Sequence, residues 1–296
     1  MENEDNSSSG RLSILMSTYH RDNPSHLAEA LQSLLEQTRP ADEIVIVEDG
    51  PISDALGCVL EDYRRKLPLV RIRSGRNSGV AAAMSLGLPR CTGDVVARMD
   101  ADDICLPERF EKQLVFLEKH PEVDVVGGAI AEFLEDSSKI RSIRRPPLDG
   151  LDLVAYAKFR SPLNHMTVMF RKRKLLQVGG YGAAKVLKLG CYQATPYEDY
   201  ELWVRMIMAG CILCNLHDVL VLARCGNGMF ERRGGFRYAR QEISFFNQIR
   251  RSGFLSSAEF ITNIALHTPV RLLPSFIRAL IYRGLLRERS YHTGEL

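Results

Sequence analysis

Short apolar runs alternate with stretches of helical period along residues 11–128, and this alternation restricts the fold more than any other property of the chain. Leu12 to Met16, Ile44 to Val47, Val70 to Arg73, Val95 to Met99 and Val123 to Val126 read as strands. Between them, Asn23 can cap a helix that has Pro24 at its first position, with Leu27, Leu31, Leu34 and Leu35 on one face. Ser53 to Lys66, Gly79 to Leu88 and Pro107 to Lys119 are further predicted helices. Ile44-Val45-Ile46-Val47 has no polar alternation, the mark of a strand buried on both faces. The pattern predicts an α/β fold with a single doubly wound, mostly parallel sheet flanked by helices. Gly-x-Gly-x-x-Gly is missing after the first strand, and Gly-Lys-Ser/Thr occurs nowhere. The first absence weighs against a nicotinamide or flavin domain, the second against a P-loop.

After residue 128 the alternation loosens. Met166 to Phe170 and Val219 to Ala223 read as strands and Glu198 to Ala209 as a helix. The predicted organisation is a polar leader over 1–10, an α/β domain over 11–225, and a helical, Arg-rich region over 226–296. The net charge of +3 is too small to argue for nucleic acid. It is unevenly placed: residues 231–296 hold 11 Arg, no Lys and 5 Glu. That distribution points to an anionic surface as partner, a membrane included. Pro274 can start a helix with apolar Phe276, Ile277, Leu280, Ile281 and Leu285 among Arg278, Arg283 and Arg287. Such a helix either packs on its own domain or lies among lipid headgroups. No uncharged apolar run approaches the ~20 residues that span a bilayer. The cysteines number seven, and no signal peptide precedes the domain, so free thiols in a reducing cytoplasm are expected. Cys211-x-x-Cys214 lies in an apolar run without further ligands at zinc spacing and reads as core thiols.

Met99-Asp100-Ala101-Asp102-Asp103 follows the fourth predicted strand. In open α/β sheets ligands bind at the carboxyl ends of strands. Three clustered carboxylates repel one another unless a cation sits among them, and oxygen donors select Mg²⁺ or Mn²⁺, which bind phosphate oxygens. A solvated acidic loop is the plain alternative. Three other segments lie where a nucleotide-sugar site needs them. Ser17-Thr18-Tyr19 offers a ring to stack on a base. Glu48-Asp49-Gly50 offers a carboxylate to a base N–H. Arg76-Asn77-Ser78-Gly79 precedes an Ala-rich helix whose N-terminus can meet phosphate or ribose.

In this order the segments resemble the family 2 glycosyltransferases of GT-A fold, over roughly residues 11–225. Thr92-Gly93-Asp94, His165-Met166-Thr167-Val168-Met169-Phe170, Val178-Gly179-Gly180-Tyr181 and Glu198-Asp199-Tyr200-Glu201-Leu202-Trp203 carry the resemblance downstream. Bacterial members that build capsule, exopolysaccharide or lipopolysaccharide are the most similar. The resemblance implies a GT-A domain with a helical C-terminal extension and an inverting transfer from a UDP-sugar to a glycan or lipid-linked acceptor. It implies nucleotide contacts from Thr18, Tyr19, Glu48, Asp49, Arg76, Asn77, Gly79, Asp100 and Ala101. It implies a metal held by Asp102, with Asp100 and His165 close by, and Asp199 as base beside Glu198. The expected place of work is the cytoplasm, peripheral to the inner face of the plasma membrane. Two positions depart from the family pattern: Glu48 stands where an aspartate is usual, and Ser85 where Asn is frequent. No Gln-x-x-Arg-Trp is found, so one sugar per binding event is expected. The competing readings are a sugar-1-phosphate nucleotidyltransferase, which would want a Gly-rich loop where Thr18 to Pro24 stand, and a catalytically inactive assembly scaffold.

Overall fold

Strand β1 (Leu12–Thr18) is the centre on which the site is built, because its neighbours on both sides run parallel to it. A computed structural model describes residues 10–182, 197–226, 234–274, 277–278 and 288–289. Helix α1 (Pro24–Leu35) starts as expected, with the Asn23 side chain accepting from the Ser25 N–H. It is followed by β2 (Glu43–Glu48), α2 (Asp54–Arg64, capped by Ser53), β3 (Leu69–Arg73), α3 (Val80–Gly87) and β4 (Val95–Arg98). The order β4-β1-β2-β3 is wholly parallel, so the carboxyl ends of β1, β2 and β4 open on one edge.

Beyond β4 the chain runs through β5 (Ile104–Cys105), α4 (Arg109–Lys119), β6 (Val125–Phe133), β7 (Ser142–Arg144), α5 (Gly150–Ala157), β8 (Met169–Arg171) and α6 (Lys172–Gln177). Then come α7 (Glu198–Met208), β9 (Leu213–Arg224), α8 (Phe236–Arg251), α9 (Ser257–Leu272) and β10 (Glu288–Arg289). The sheet order is β10-β7-β6-β8-β4-β1-β2-β3, with β9 on the other edge of β6 and β5 paired to β9. The sheet is therefore mixed. β8 runs antiparallel between β4 and β6, so β6 keeps the direction of β4 without touching it.

Three segments differ from their sequence reading. The expected strand at Met166 is a short 3-10 turn over His165–Thr167, and strand geometry begins only at Met169. The strand expected over Val123–Val126 begins only at Val125 and runs nine residues, to Phe133. Its Gly127-Gly128 pair sits against Asn215 and Leu220, where a side chain would collide at 2.6 and 2.4 Å. β9 spans twelve residues although His217 and Asp218 interrupt its apolar run, because β6 pairs along nearly all of it. The helix expected after Pro274 lies almost wholly outside the described residues.

One apolar cluster lies on the α1, α2 and α4 face of the sheet. A second lies on the α3 and α7 face, around the fully buried Trp203. Gly87 ends α3 against β1 and β2, with an added Cβ only 2.5 Å from Leu15 Cδ1. A third cluster is aromatic: Tyr197 and Tyr200 at the start of α7 pack on Tyr238, Phe245 and Phe246 of α8. Cys91, Cys105 and Cys214 are buried thiols.

Candidate active site

At the end of β1, Thr18 Oγ1 and the Tyr19 N–H donate to Asp22 Oδ2 at 2.9 and 3.0 Å. This turn leaves the Tyr19 ring half-buried at the sheet edge, edge-on to His20. Burial holds the Asp22 carboxyl above the ordinary carboxylate range, and the Asp100 charge adds to it. At the end of β2, Asp49 accepts from the Ser78 N–H on one oxygen and the Gly79 N–H on the other, both at 2.8 Å. This draws the Arg76–Gly79 loop onto β2. The approach is so close that a Cβ on Gly50, whose φ is +85°, would stand 2.6 Å from the Asn77 nitrogen. Arg76 and Asn77 remain exposed at the rim. Each Asp49 oxygen keeps a second lone pair for a further donor. Glu48 faces elsewhere. Its buried carboxylate accepts from Arg71 Nε at 2.7 Å and lies 3.4 Å from Arg73 Nε. The extra methylene over the usual aspartate serves this pairing to β3.

At the end of β4 the acidic loop is held from behind. Arg224, the last residue of β9, donates its backbone N–H to Asp103 Oδ1 at 2.8 Å and its Nε to the Asp102 carbonyl at 3.0 Å. Asp103 is buried, and burial with the charges of Asp100 and Asp102 pushes its pKa well up. It therefore anchors the loop, while the Asp102 side chain reaches solvent within a protein-walled cleft. Partial burial, then Asp100 and Asp22, raise the Asp102 pKa to about 6. Asp100 is gripped by both terminal nitrogens of Arg98, itself only 4% exposed and hence almost wholly desolvated. Ala101 is buried beneath the loop.

The opposite wall is the first turn of α7, where Glu198 and Asp199 are partly exposed. Burial and the adjacent Asp199 raise the Glu198 pKa to about 7, and Asp100 contributes across the gap. His165 completes the floor. Its Nε2 lies 3.0 Å from the Tyr181 hydroxyl and its ring is edge-on to Trp203. Burial, then the Arg98 charge, lower its pKa well below the ordinary value, so the imidazole is neutral. Tyr181 is fixed from two sides, by Ser85 donating to its carbonyl and by Arg205 donating to the Gly180 carbonyl. Asp100, Asp102, Glu198, Asp199 and His165 thus surround Arg98 and Tyr181. Thr18, Tyr19, Asp49, Arg76, Asn77 and Gly79 line the adjoining sheet edge.

Sequence reasoning missed Asp22, Arg98, Tyr181 and Arg224. Arg98 had a local signal, a charge inside the apolar Val95–Met99 run. Arg224 had none, since its role depends on a contact across more than a hundred residues.

Oxygen donors, mutual repulsion and solvent access make the Asp22–Asp100–Asp102 group suited to a hard cation. Among the described residues, no three His, Cys, Asp or Glu side chains converge to hold one unaided. Mg²⁺ and Mn²⁺ sites in phosphate-transfer chemistry ordinarily use one or two carboxylates, with substrate phosphates and water completing the shell. The residues present fit that pattern.

The sequence model of glycosyl transferase family 2 matches residues 13–180. The chain belongs to glycosyl transferase family 2. This family 2 chain is 39% identical over 278 residues to an uncharacterized glycosyltransferase of Haemophilus influenzae, covering 94% of this chain and 100% of the relative. It is 39% identical to the amylovoran biosynthesis glycosyltransferase AmsE of Erwinia amylovora, covering 91% and 97%. It is 36% identical to an Escherichia coli UDP-Gal:alpha-D-GlcNAc-diphosphoundecaprenol beta-1,3-galactosyltransferase, covering 94% and 97%. Among solved structures it superposes on the mannosyltransferase PcManGT of Pyrobaculum calidifontis in complex with GDP-Man and Mn²⁺. The TM-score is 0.63 at 17% identity, over 93% of this chain and 76% of that one. S. aureus TarS 1-349 in complex with UDP-GlcNAc gives a TM-score of 0.61 at 19% identity, over 88% and 72%. These likenesses establish a GT-A fold and place the family 2 chain among glycosyltransferases rather than nucleotidyltransferases.

Proposed function

We propose that this chain is an inverting glycosyltransferase that moves a sugar from UDP to a lipid-linked glycan in cell-surface polysaccharide synthesis, at the cytoplasmic membrane face. The observation that carries the reading is the opposition of two acidic walls around Arg98, one ending β4 and one starting α7, close enough for Asp100 to act on Glu198. The diphosphoundecaprenol in the name of the Escherichia coli relative supports the acceptor class, and the UDP-GlcNAc complex of a fold neighbour supports the donor class.

Tyr19 and Asp49 receive the uracil, the ring by stacking and the carboxylate by accepting a base N–H. Thr18 shapes this end through Asp22, and Glu48 holds β3 beneath it. Arg76, Asn77 and the amides before α3 meet ribose and phosphate. Asp102, with Asp100, would hold Mn²⁺ or Mg²⁺, which supplies charge neutralisation for the departing diphosphate. His165 stays neutral and fixes Tyr181 at the cleft floor. Asp199 takes the proton from the acceptor hydroxyl as its oxygen bonds to the anomeric carbon. The bond from that carbon to the β-phosphate oxygen breaks, and UDP leaves with the electron pair. Attack from the face opposite UDP inverts the anomeric centre, so an α-linked donor gives a β-linked product. Glu198 shares the first turn of α7 with the base and keeps the local field negative. A thermal-shift screen of UDP-, GDP- and TDP-sugars, each with and without Mn²⁺, tests the donor class. One UDP-sugar with Mn²⁺ is expected to stabilise the chain most, since a ligand that binds only the folded state raises its apparent stability. Preference for a GDP-sugar would overturn it.

A further inference from the structure

Helix α9 is apolar on two sides. Phe260 and Ile264 pack inward on the aromatic cluster beside the buried Asn263 and Arg271, while Ile261, Leu266 and Leu272 stand 65%, 59% and 57% exposed. Ala258, Thr262, Ala265 and Pro269 complete the exposed face, which carries no ionisable group. Asn263 donates to the Lys158 carbonyl at the end of α5, and Arg271 pairs with Glu242 of α8 at 2.8 Å. These bonds fix which face points outward. The start of α8 extends the apolar face, because the Gly235 N–H donates to the Arg271 carbonyl and Phe236 is 78% exposed beside it.

The outward side of α8 is cationic. Arg237, Arg240 and Arg251 are exposed, with no carboxylate paired to them among the described residues. The two acids of residues 234–274 are already engaged, Glu242 with Arg271 and Glu259 with Lys158 at 2.6 Å. Apolar side chains flanked by unpaired arginines, with no free acid, match an anionic lipid headgroup layer over an acyl boundary. A second copy meeting this face about a two-fold axis would oppose arginines to arginines. The layer is also one helix from the reaction. Tyr197 and Tyr200, flanking Glu198 and Asp199, pack on Tyr238 and Phe245 of α8.

We propose that the outer faces of α8 and α9 form the surface by which this protein docks on an anionic bilayer, holding the cleft beside a membrane-borne acceptor. The proposal deepens the lipid-linked acceptor reading above and rests on it. The test is co-sedimentation of the full chain with vesicles of phosphatidylcholine alone or with phosphatidylglycerol added. It compares wild type, Ile261→Asp/Leu266→Asp and Arg237→Glu/Arg240→Glu. Wild type is expected to sediment with the anionic vesicles and to be released by salt, and each pair of changes to weaken binding by roughly tenfold or more. Stabilisation by UDP with Mn²⁺ in vesicle-free solution, unchanged in both variants, shows that they fold and tests the donor site separately. Wild type that ignores anionic vesicles, equal binding to both vesicle types, variants that bind like wild type, or a dimer that the aspartates disperse would each overturn the proposal.

Discussion

Asp102 and Glu198 are two carboxyls of the cleft that burial and neighbouring charge push up, to about 6 and about 7. Both values lie above those of an unfolded chain, so between roughly pH 4 and 7 these two groups bind more protons in the folded state than in the unfolded one. These groups therefore contribute stability that is present in acid and lost as pH rises through their folded values. A cation reverses the trend for Asp102 by displacing its proton. Mn²⁺ affinity, followed by titration calorimetry, is expected to rise between pH 5 and 7 with its steepest part near 6. Asp102→Asn is expected to flatten that dependence, and an unaltered profile would remove Asp102 from the metal site. Asp199→Asn is expected to keep donor binding and lose at least about 10²-fold in transfer rate. Glu198→Gln tests the neighbour: a rate limb near pH 7 that vanishes in this variant assigns it to Glu198. The acids themselves were legible as residue types in loops after strands. Of their guanidinium partners, Arg98 was marked only as a charge inside an apolar run, and Arg224 not at all, because its contact is remote in sequence.

Strand and helix positions in the parallel half follow from local chemistry. Buried strands carry unbroken apolar runs, Asn23 caps α1 as expected, and Ser53, read as the first residue of a helix, is the cap of α2. The other half depends on partners. β8 is three residues long, its place marked by the apolar Met166–Phe170 run but its extent set by pairing with β4 and β6, and β5 exists by pairing with β9, which no local pattern encodes. Close packing of α3 on β1 and β2 makes Gly87→Ala costly, by about 1–3 kcal/mol in chemical denaturation. A buried ion pair joins α8 and α9 beside their aromatic packing. Glu242 Oε1 accepts from Arg271 Nε at 3.0 Å and from the Tyr197 hydroxyl at 2.9 Å. Glu242→Ala strands the buried Arg271 charge, and the expected loss is about 3–5 kcal/mol. A loss below 1 kcal/mol would show that the aromatic packing on α7 suffices without the pair.

At the scale of the whole molecule, the proposed function assigns a nucleotide end to the parallel sheet edge, a phosphate end to the acidic loop after β4, and an acceptor end to α7. The first two were readable from motifs at strand termini. The third was readable only as an acidic helix start, since it faces the first two through a fold closed by β8, β9 and the aromatic layer. No helix among the described residues is long and apolar enough to cross a membrane. The arrangement as a whole stands on where the nucleotide sits. A crystal structure of the chain with UDP and Mn²⁺ is the most direct measurement. The expected result has uracil against Tyr19 and Asp49, and the ion about 2.0–2.2 Å from an Asp102 oxygen, with diphosphate oxygens in its shell. UDP bound at another face, or an ion coordinated without Asp102, would contradict it.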